Sequence, residues 1–217
     1  MQREIIMSQF ENFEVIIFDL DGTLVDSLTG AANCLNHVFK KHGFPVLKPE
    51  AIAPHANDGV ENMVQSTSKC QDKEQLQILI KEFKDYYLQN SEAPCYPGVV
   101  ETLRALKKKG KKIGVFTNKP TAIAARQLKS PGIFDLLDFY ISDDGHTPLK
   151  PSPDAIISLI EKNHFDKNKV MLVGDSDPDI QVGKNAGIKT CFAAYGLGIT
   201  NKDLVPDFSI GNISELI

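Results

Sequence analysis

Short apolar runs and amphipathic stretches alternate along most of this chain, and this pattern predicts its secondary structure. Five short, largely apolar runs are typical of strands buried in a parallel sheet, at 15–18, 113–116, 139–142, 170–173 and 189–193. Apolar residues at helical spacing predict four helices among these runs, at 99–109, 120–129, 153–163 and 179–185. This alternation predicts right-handed βαβ crossovers, and therefore an α/β fold with a doubly wound, Rossmann-like parallel sheet.

The stretch from 28 to 93 departs from this alternation, because it contains helical patterns but no convincing strand. Four helices are predicted there, at 28–42, 48–53, 58–67 and 72–89, with Asp58 as the N-terminal cap of the third. Two prolines and a glycine within 93–98 then break the pattern, as expected of a linker. We therefore predict a core formed by 1–27 and 94–217, with an inserted all-helical domain formed by 28–93.

Composition and charge limit the classes of function. A chain of 217 residues, 42% of them hydrophobic, is long enough for one sizeable core and a smaller inserted domain. Its net charge of −4 gives no electrostatic reason to expect nucleic acid or an anionic membrane as a partner. Residues 1–10 lack the pattern of a signal peptide and no apolar run reaches the length of a membrane span, so we expect a cytoplasmic protein. The four scattered cysteines predict neither a zinc site nor a disulfide framework.

The first predicted strand is followed at once by two acids, Asp19 and Asp21, and then by Gly22 and Thr23. Two carboxylates at the end of a buried strand are unfavourable unless a cation lies between them, so a divalent metal is the simplest occupant. A calcium loop would need a later glycine and a terminal glutamate, and the sequence has neither. The pair favours phosphoryl transfer, although a strand end with a tight turn is an alternative interpretation.

Polar residues also follow the later strands: Thr117 and Asn118, then Lys150, then Asp175 and Asp179. Parallel strands bind ligands at their carboxyl ends, so we expect these side chains to gather at one edge of the sheet. The combined set offers a nucleophile, a proton shuttle, donors for phosphoryl oxygens and metal-binding carboxylates, as phosphoryl transfer requires. Each segment also has a structural interpretation when taken alone: a helix cap, an exposed loop lysine and an acidic turn at a helix start.

Four segments resemble the motifs of the haloacid dehalogenase superfamily. They read D-L-D-G-T at 19–23, T-N-K-P at 117–120, L-K-P-S-P-D at 149–154 and V-G-D-S-D-P-D-I at 173–180. The residues of these motifs most resemble those of phosphoglycolate phosphatases, and the helical insertion is similar to the cap domain of that family. The resemblance implies a Mg²⁺-dependent phosphatase with an aspartyl-phosphate intermediate. Its substrate would be a small phosphorylated metabolite, a phosphate monoester similar to phosphoglycolate.

The resemblance also implies a role for each residue of the catalytic pair. Asp19 would be the nucleophile and a metal ligand. Asp21 would protonate the leaving oxygen and then activate water as a base, and its backbone carbonyl would face the metal. The true dehalogenases of the superfamily lack the second aspartate, so Asp21 argues against halide chemistry.

The later motifs would supply the remaining groups. Thr117 and Lys150 would hold the phosphoryl oxygens, with Asn118 as a further substrate-binding residue. Asp175 would bind Mg²⁺, and Asp179 would bind the metal or orient its shell. Asp177, between these two, is interpreted as a solvent-facing turn residue.

The sequence leaves the substrate and two other functions open. The predicted cap loop at 55–59 contains no arginine or lysine to meet a substrate carboxylate, and offers only His55, Asn57 and backbone amides. The same motifs allow a sugar phosphomutase, in which the phosphorylated aspartate returns its group to a sugar. A non-catalytic phosphate-binding protein is the third alternative, but the complete set of motif residues counts against it. Nothing in the sequence indicates an oligomeric state.

Overall fold

The computed structural model describes residues 10–55, 60–196, 198, 201 and 203–217. The chain divides into two compact units, one formed by the segment up to Val25 together with Cys95–Ile217, the other by Asp26–Pro94. The first unit is α/β and the second is helical, so the predicted fold class is confirmed. Among the described residues, none of the helices combines the length and the hydrophobicity that a membrane span requires.

The first unit contains one sheet of six parallel strands. Their bounds are Val15–Phe18 (β1), Lys112–Pro120 (β2), Phe139–Asp143 (β3), Val170–Gly174 (β4), Lys189–Ala193 (β5) and Phe208–Ile210 (β6). Their order across the sheet is β3-β2-β1-β4-β5-β6. Val15 of β1 pairs with Lys112 of β2 on one side and with Val170 of β4 on the other. The strand that precedes the acidic pair is therefore an interior strand.

Eight α-helices lie within the described residues. Their bounds are Ser27–Lys41 (α1), Pro49–Ile52 (α2), Val60–Ser68 (α3), Lys73–Gln89 (α4), Val99–Lys108 (α5), Thr121–Lys129 (α6), Asp154–Asn163 (α7) and Asp177–Ala186 (α8). The first four belong to the helical unit and the last four connect the strands of the sheet. Short 3₁₀ turns complete both units, and one of them, Ala53–His55, follows α2.

The order of the strands creates a switch point beside β1. From β1 the chain proceeds outward to β2 and β3, then returns to β4 on the other side of β1 and continues outward to β6. In doubly wound sheets, ligands bind at the carboxyl ends of the strands where the order reverses. The residues that directly follow β1 and β4 thus occupy the expected position of a site.

Burial explains why β1 itself contains no charged residue. The four side chains of β1 are at most 2% exposed. On one face, Ile17 belongs to an apolar cluster that includes Phe116, Ile156, Val170 and Val182. Each fully buried side chain of this size contributes about 1.5–3 kcal/mol, whereas an unpaired charge in the same place would be strongly unfavourable. The first carboxylate after the start of β1 is that of Asp19, directly past the end of the strand.

The helical unit has a core of its own. Its largest fully buried side chains are Leu35, Phe39, Ile52, Leu79 and Phe83. Side-chain caps start two of its helices: Asp26 accepts from the backbone N–H of Thr29 at 3.0 Å, and Asp72 accepts from that of Glu74 at 2.9 Å. Asp58, the predicted cap of the helix at 58–67, lies outside the described residues.

Strand β2 continues to Pro120, so Thr117, Asn118 and Lys119 lie within it rather than after it as predicted. Strand β6 and helix α8 also differ from the sequence prediction. The sequence pattern does not predict the edge strand β6, because its three residues, with an exposed Ser209 in the middle, are too few to show alternation. Helix α8 begins at Asp177 rather than at Asp179, because Ser176 and Asp179 form a capping box. The interpretation of Asp177 as a solvent-facing turn residue is therefore wrong: it is a half-buried first residue of α8, and its carboxylate accepts from the Asn201 N–H at 3.1 Å.

A close contact between α8 and β5 provides a test of this packing. A Cβ at Gly183 would collide with the side-chain methyl of the fully buried Thr190, whose hydroxyl bonds Asp207. Alanine favours a helix over glycine by about 1 kcal/mol, whereas overpacking costs about 1–3 kcal/mol. We expect overpacking to win, so Gly183→Ala should lower the free energy of unfolding in urea by about 1 kcal/mol. The exposed Lys184→Ala is the control and should change it by less than about 0.5 kcal/mol; a stabilised Gly183→Ala would contradict the expectation.

Candidate active site

The backbone at the switch point brings two acids together. Asp19 follows β1 directly, and its backbone N–H donates to the carbonyl of Val173 in β4 at 2.8 Å. Asp175 follows β4 directly. Since the two strands are neighbours in register, both side chains lie at the same edge of the sheet.

Lys150 reaches this edge from the loop between β3 and α7. Its Nζ lies 2.5 Å from Asp19 Oδ1 and 2.6 Å from Asp179 Oδ1. The lysine side chain is only 4% exposed, and the two carboxylates are buried with it. The ammonium also lies 5.5 Å from the centre of the Phe116 ring, a distance typical of a cation–π contact. The sequence prediction that Lys150 joins the acids is thus matched by direct contacts, and the exposed-loop interpretation of this lysine is wrong.

Asn118 fixes the backbone that carries this lysine. Its side-chain oxygen accepts from the Lys150 N–H at 2.8 Å, and its side-chain nitrogen donates to the Lys150 carbonyl at 2.9 Å. The sequence places Asn118 among the substrate-binding residues. In the structure, both ends of its amide bind the lysine backbone, so its direct contribution here is to position Lys150.

Three buried carboxylates, those of Asp19, Asp175 and Asp179, form a candidate metal centre. Each offers one oxygen, and these oxygens all lie within 4.8 Å of one another. Oxygen-only ligand sets are preferred by hard divalent cations such as Mg²⁺. Three carboxylates against one ammonium leave an excess of negative charge, which a divalent cation would offset. The donor set therefore fits a bound Mg²⁺ ion.

Burial and mutual repulsion change the acidity of these groups. Burial raises the pKa of the Asp19 carboxyl well above its usual range; Lys150 opposes this, while Asp179 and Asp175 add to it. For Lys150, burial lowers the pKa of the ammonium, but the Asp179 and Asp19 carboxylates outweigh burial and raise it. Lys150 therefore stays charged, and its charge favours the ionised form of the acid beside it.

The loop after β1 holds Asp175 in place. The Thr23 hydroxyl donates to Asp175 Oδ1 at 3.1 Å, and both residues are buried. Gly22 adopts a left-handed backbone with φ of +77°, and a Cβ there would collide with the Asp175 carboxylate. Thr23 thus binds the Asp175 carboxylate, and Gly22 leaves room for it.

Asp179 is shared between the helix start and the site. Its Oδ2 accepts from the Ser176 hydroxyl at 2.5 Å and from the Ser176 N–H at 3.0 Å, which completes the capping box of α8. Its other oxygen accepts from Lys150. One carboxylate therefore both starts α8 and orients the buried ammonium.

The Asp21 carboxylate is not one of the three that form the candidate metal centre. Its Oδ1 forms an ion pair with Nζ of Lys119, and this nitrogen also donates to Gln127 Oε1 at 3.0 Å. Thr117, also predicted for the site, is buried at the end of the same strand as Lys119, and its hydroxyl accepts from the Lys119 N–H at 3.2 Å. Sequence reasoning missed Lys119, although it stands inside the T-N-K-P motif.

This geometry agrees with comparisons to known proteins. Residues 16–193 match the family model described as haloacid dehalogenase-like hydrolase. The chain belongs to this family. The family predicted from the sequence motifs is therefore confirmed.

This haloacid dehalogenase-like hydrolase is similar to known proteins along nearly its whole length. It is 32% identical to the phosphoglycolate phosphatase of Aquifex aeolicus and 31% identical to that of Escherichia coli K12, with 94% of each relative covered and 94% and 97% of this chain. The crystal structure of a predicted phosphoglycolate phosphatase from Haemophilus somnus 129PT superposes with a TM-score of 0.78 at 28% identity, covering 94% of this chain and 96% of that one. This hydrolase is thus an enzyme similar to phosphoglycolate phosphatases.

The buried ammonium of this hydrolase can be tested by removing it. In excess EDTA at about pH 8, Lys150→Met should lower the free energy of unfolding by about 3–5 kcal/mol, because it leaves buried carboxylates without their cation. The loss should be smaller at about pH 5.5, since the raised pKa of Asp19 lets that carboxyl protonate and a neutral acid needs no cation.

The matched control is Lys169→Met, which breaks the exposed ion pair with Glu14. Exposed pairs contribute little, so this control should scarcely change the urea midpoint at either pH. If Lys150→Met were no more harmful than Lys169→Met, the buried ammonium would not stabilise the site.

Proposed function

We propose that this chain is a Mg²⁺-dependent phosphatase that hydrolyses a small phosphate monoester, with phosphoglycolate as the first candidate, through an aspartyl-phosphate on Asp19. The observation that carries the proposal is the cluster of three buried carboxylates and Lys150 at the switch point of the sheet. The names of the relatives support the substrate class. A haloacid dehalogenase-like hydrolase from Bacillus subtilis with the same fold, at a TM-score of 0.79 and 17% identity, is described as bound to magnesium.

The metal would be held by the carboxylates of Asp19 and Asp175, with the backbone carbonyl of Asp21 facing it. Both oxygens of Asp179 already accept hydrogen bonds, from Lys150 and from Ser176, which supports an orienting role for this residue. When bound, Mg²⁺ would offset the carboxylate charge and withdraw electron density from the phosphoryl group.

The side chains of this protein would divide the reaction into two steps. A carboxylate oxygen of Asp19 attacks phosphorus and the bond to the leaving oxygen breaks, while Asp21 gives its proton to that oxygen. Lys150 and Thr117 hold the phosphoryl oxygens and offset their charge. In the second step, Asp21 takes a proton from the water that attacks phosphorus, which releases phosphate and restores Asp19.

We also propose that the helical unit serves as the cap of the catalytic unit. The support is its place in the chain, since it begins directly after the loop that carries Asp21 and ends at Pro94. Substrate selection is expected in the predicted loop at 55–59. His55 ends the 3₁₀ turn after α2, and 56–59 lie outside the described residues.

A substrate panel tests the proposed function. With MgCl₂, phosphate release should be faster from phosphoglycolate than from sugar phosphates, nucleotides or pyrophosphate. Excess EDTA should abolish it, and Ca²⁺ should not restore it, because the larger and looser shell of Ca²⁺ would misplace Asp19 for attack. Full turnover in excess EDTA would contradict the metal requirement. A preference for another monoester would contradict phosphoglycolate as the proposed substrate. A sugar phosphomutase, in contrast, would release little phosphate unless its acceptor sugar were withheld.

The roles of the two acids can be separated by trapping the intermediate. With p-nitrophenyl phosphate, Asp19→Asn should gain no phosphoryl mass, because the attacking carboxylate is gone. Asp21→Asn should gain it and hydrolyse it slowly, with turnover of a poor leaving group reduced about 10²- to 10⁴-fold. Intact-protein mass after brief incubation, together with phosphate release, measures both. A phosphorylated Asp19→Asn, or an Asp21→Asn variant at the wild-type rate on a poor leaving group, would show that the roles are assigned wrongly.

A further inference from the structure

Asp21 is held by a chain of contacts that begins in a buried side chain. Gln127, in α6, is fully buried, and its Oε1 accepts from Nζ of Lys119 at 3.0 Å. The same Nζ forms the ion pair with Asp21. The Lys119 side chain is only 13% exposed, whereas that of Asp21 is 26% exposed. The contacts thus run from the protein interior to the most accessible acid of the site.

We propose that Lys119 is a positioning residue for proton transfer, which holds the Asp21 carboxyl group where it meets the leaving-group oxygen. This inference rests on the proposed function, in which Asp21 is the proton donor. An aspartate at the end of a strand can occupy several staggered rotamers, and an anchored ion pair selects one of them. Gln127 holds Lys119 in turn, so the rotamer of Asp21 is tied to the packing of α6.

The two lysines of the site contact different acids. Lys150 contacts Asp19 and Asp179 at the candidate metal centre, whereas Lys119 contacts Asp21 outside it. Loss of Lys150 would therefore affect the nucleophile and phosphoryl binding for every substrate. Through its contact with Asp21, loss of Lys119 would matter where the reaction needs the proton of that acid.

The leaving group decides whether that proton is needed. When the Asp19–phosphorus bond forms and the ester bond breaks, benzyl alcohol must leave with a proton, while p-nitrophenolate can leave as the anion. The two esters are of similar size, so entry to the site affects both alike. A residue that positions Asp21 should thus affect formation of the phosphoenzyme from benzyl phosphate far more than from p-nitrophenyl phosphate.

The test is rapid-quench measurement of phosphoenzyme formation from both esters in single turnovers with MgCl₂. Lys119→Met should slow the reaction of benzyl phosphate about 10- to 100-fold and that of p-nitrophenyl phosphate less than about threefold. Lys119→Arg should recover most of the loss, because it restores a cation at this position. Lys108→Met, at an exposed position in α5, is the matched control and should change neither rate. Equal slowing of both esters by Lys119→Met would overturn the proposal.

A double variant separates this inference from the proposed function. In the Asp21→Asn background, Lys119→Met should cause no further loss with benzyl phosphate, since the group that it positions can no longer give a proton. A further loss would overturn the role of Lys119. If Asp21→Asn itself slowed both esters equally, the assignment of Asp21 as the proton donor would fail instead. Should Lys119→Met not fold, Lys119→Gln, which removes the charge that pairs with Asp21, should give the same selective loss, and its absence would overturn the proposal.

Discussion

The ammonium group of Lys150 lies between the carboxylates of Asp19 and Asp179, and the catalytic end of the sheet depends on this contact. Three buried carboxylates within 4.8 Å of one another would repel strongly at low dielectric, and removal of one partner from a buried pair is strongly destabilising. The same contact connects three separate parts of the chain, the end of β1, the loop before α7 and the start of α8. One charged group thus satisfies both the electrostatics and the geometry of the site.

Much of this arrangement could be predicted from the sequence, because burial leaves a clear pattern. An apolar run such as Val15–Phe18 indicates a strand buried on both faces, and the acid that follows must lie where the sheet ends. Alternating helices then imply parallel strands whose carboxyl ends meet. The position of Lys150 depends on the same rule, although the sequence alone does not give its partners, since Asp19 is 131 positions away.

The parts that could not be predicted depend on contacts between distant segments or on local hydrogen bonds that the pattern does not contain. The strand β6 is three residues long and is a strand only because it pairs with β5. Helix α8 begins two residues before its predicted start, because Ser176 caps it through hydrogen bonds with Asp179. The sequence of this segment is equally typical of an acidic turn. Lys119 precedes Pro120 and has the pattern of a helix entry, while its partner Asp21 is 98 positions away. No local periodicity carries that information.

The two aspartates of the first motif have identical side chains, so the different tasks that we propose for them must come from their environments. Asp19 is buried beside Lys150 and two further carboxylates, a place suited to a nucleophile that shares a metal ion. Asp21 is partly exposed and pairs with Lys119, a place suited to a group that exchanges protons with a leaving group and then with water. Enzymes commonly obtain acid and nucleophile from one residue type by such separation of surroundings. Here the chain itself separates the two acids: Asp19 follows β1 directly, whereas Asp21 enters the turn formed at Gly22. Asp19 contacts Lys150 and Asp21 contacts Lys119.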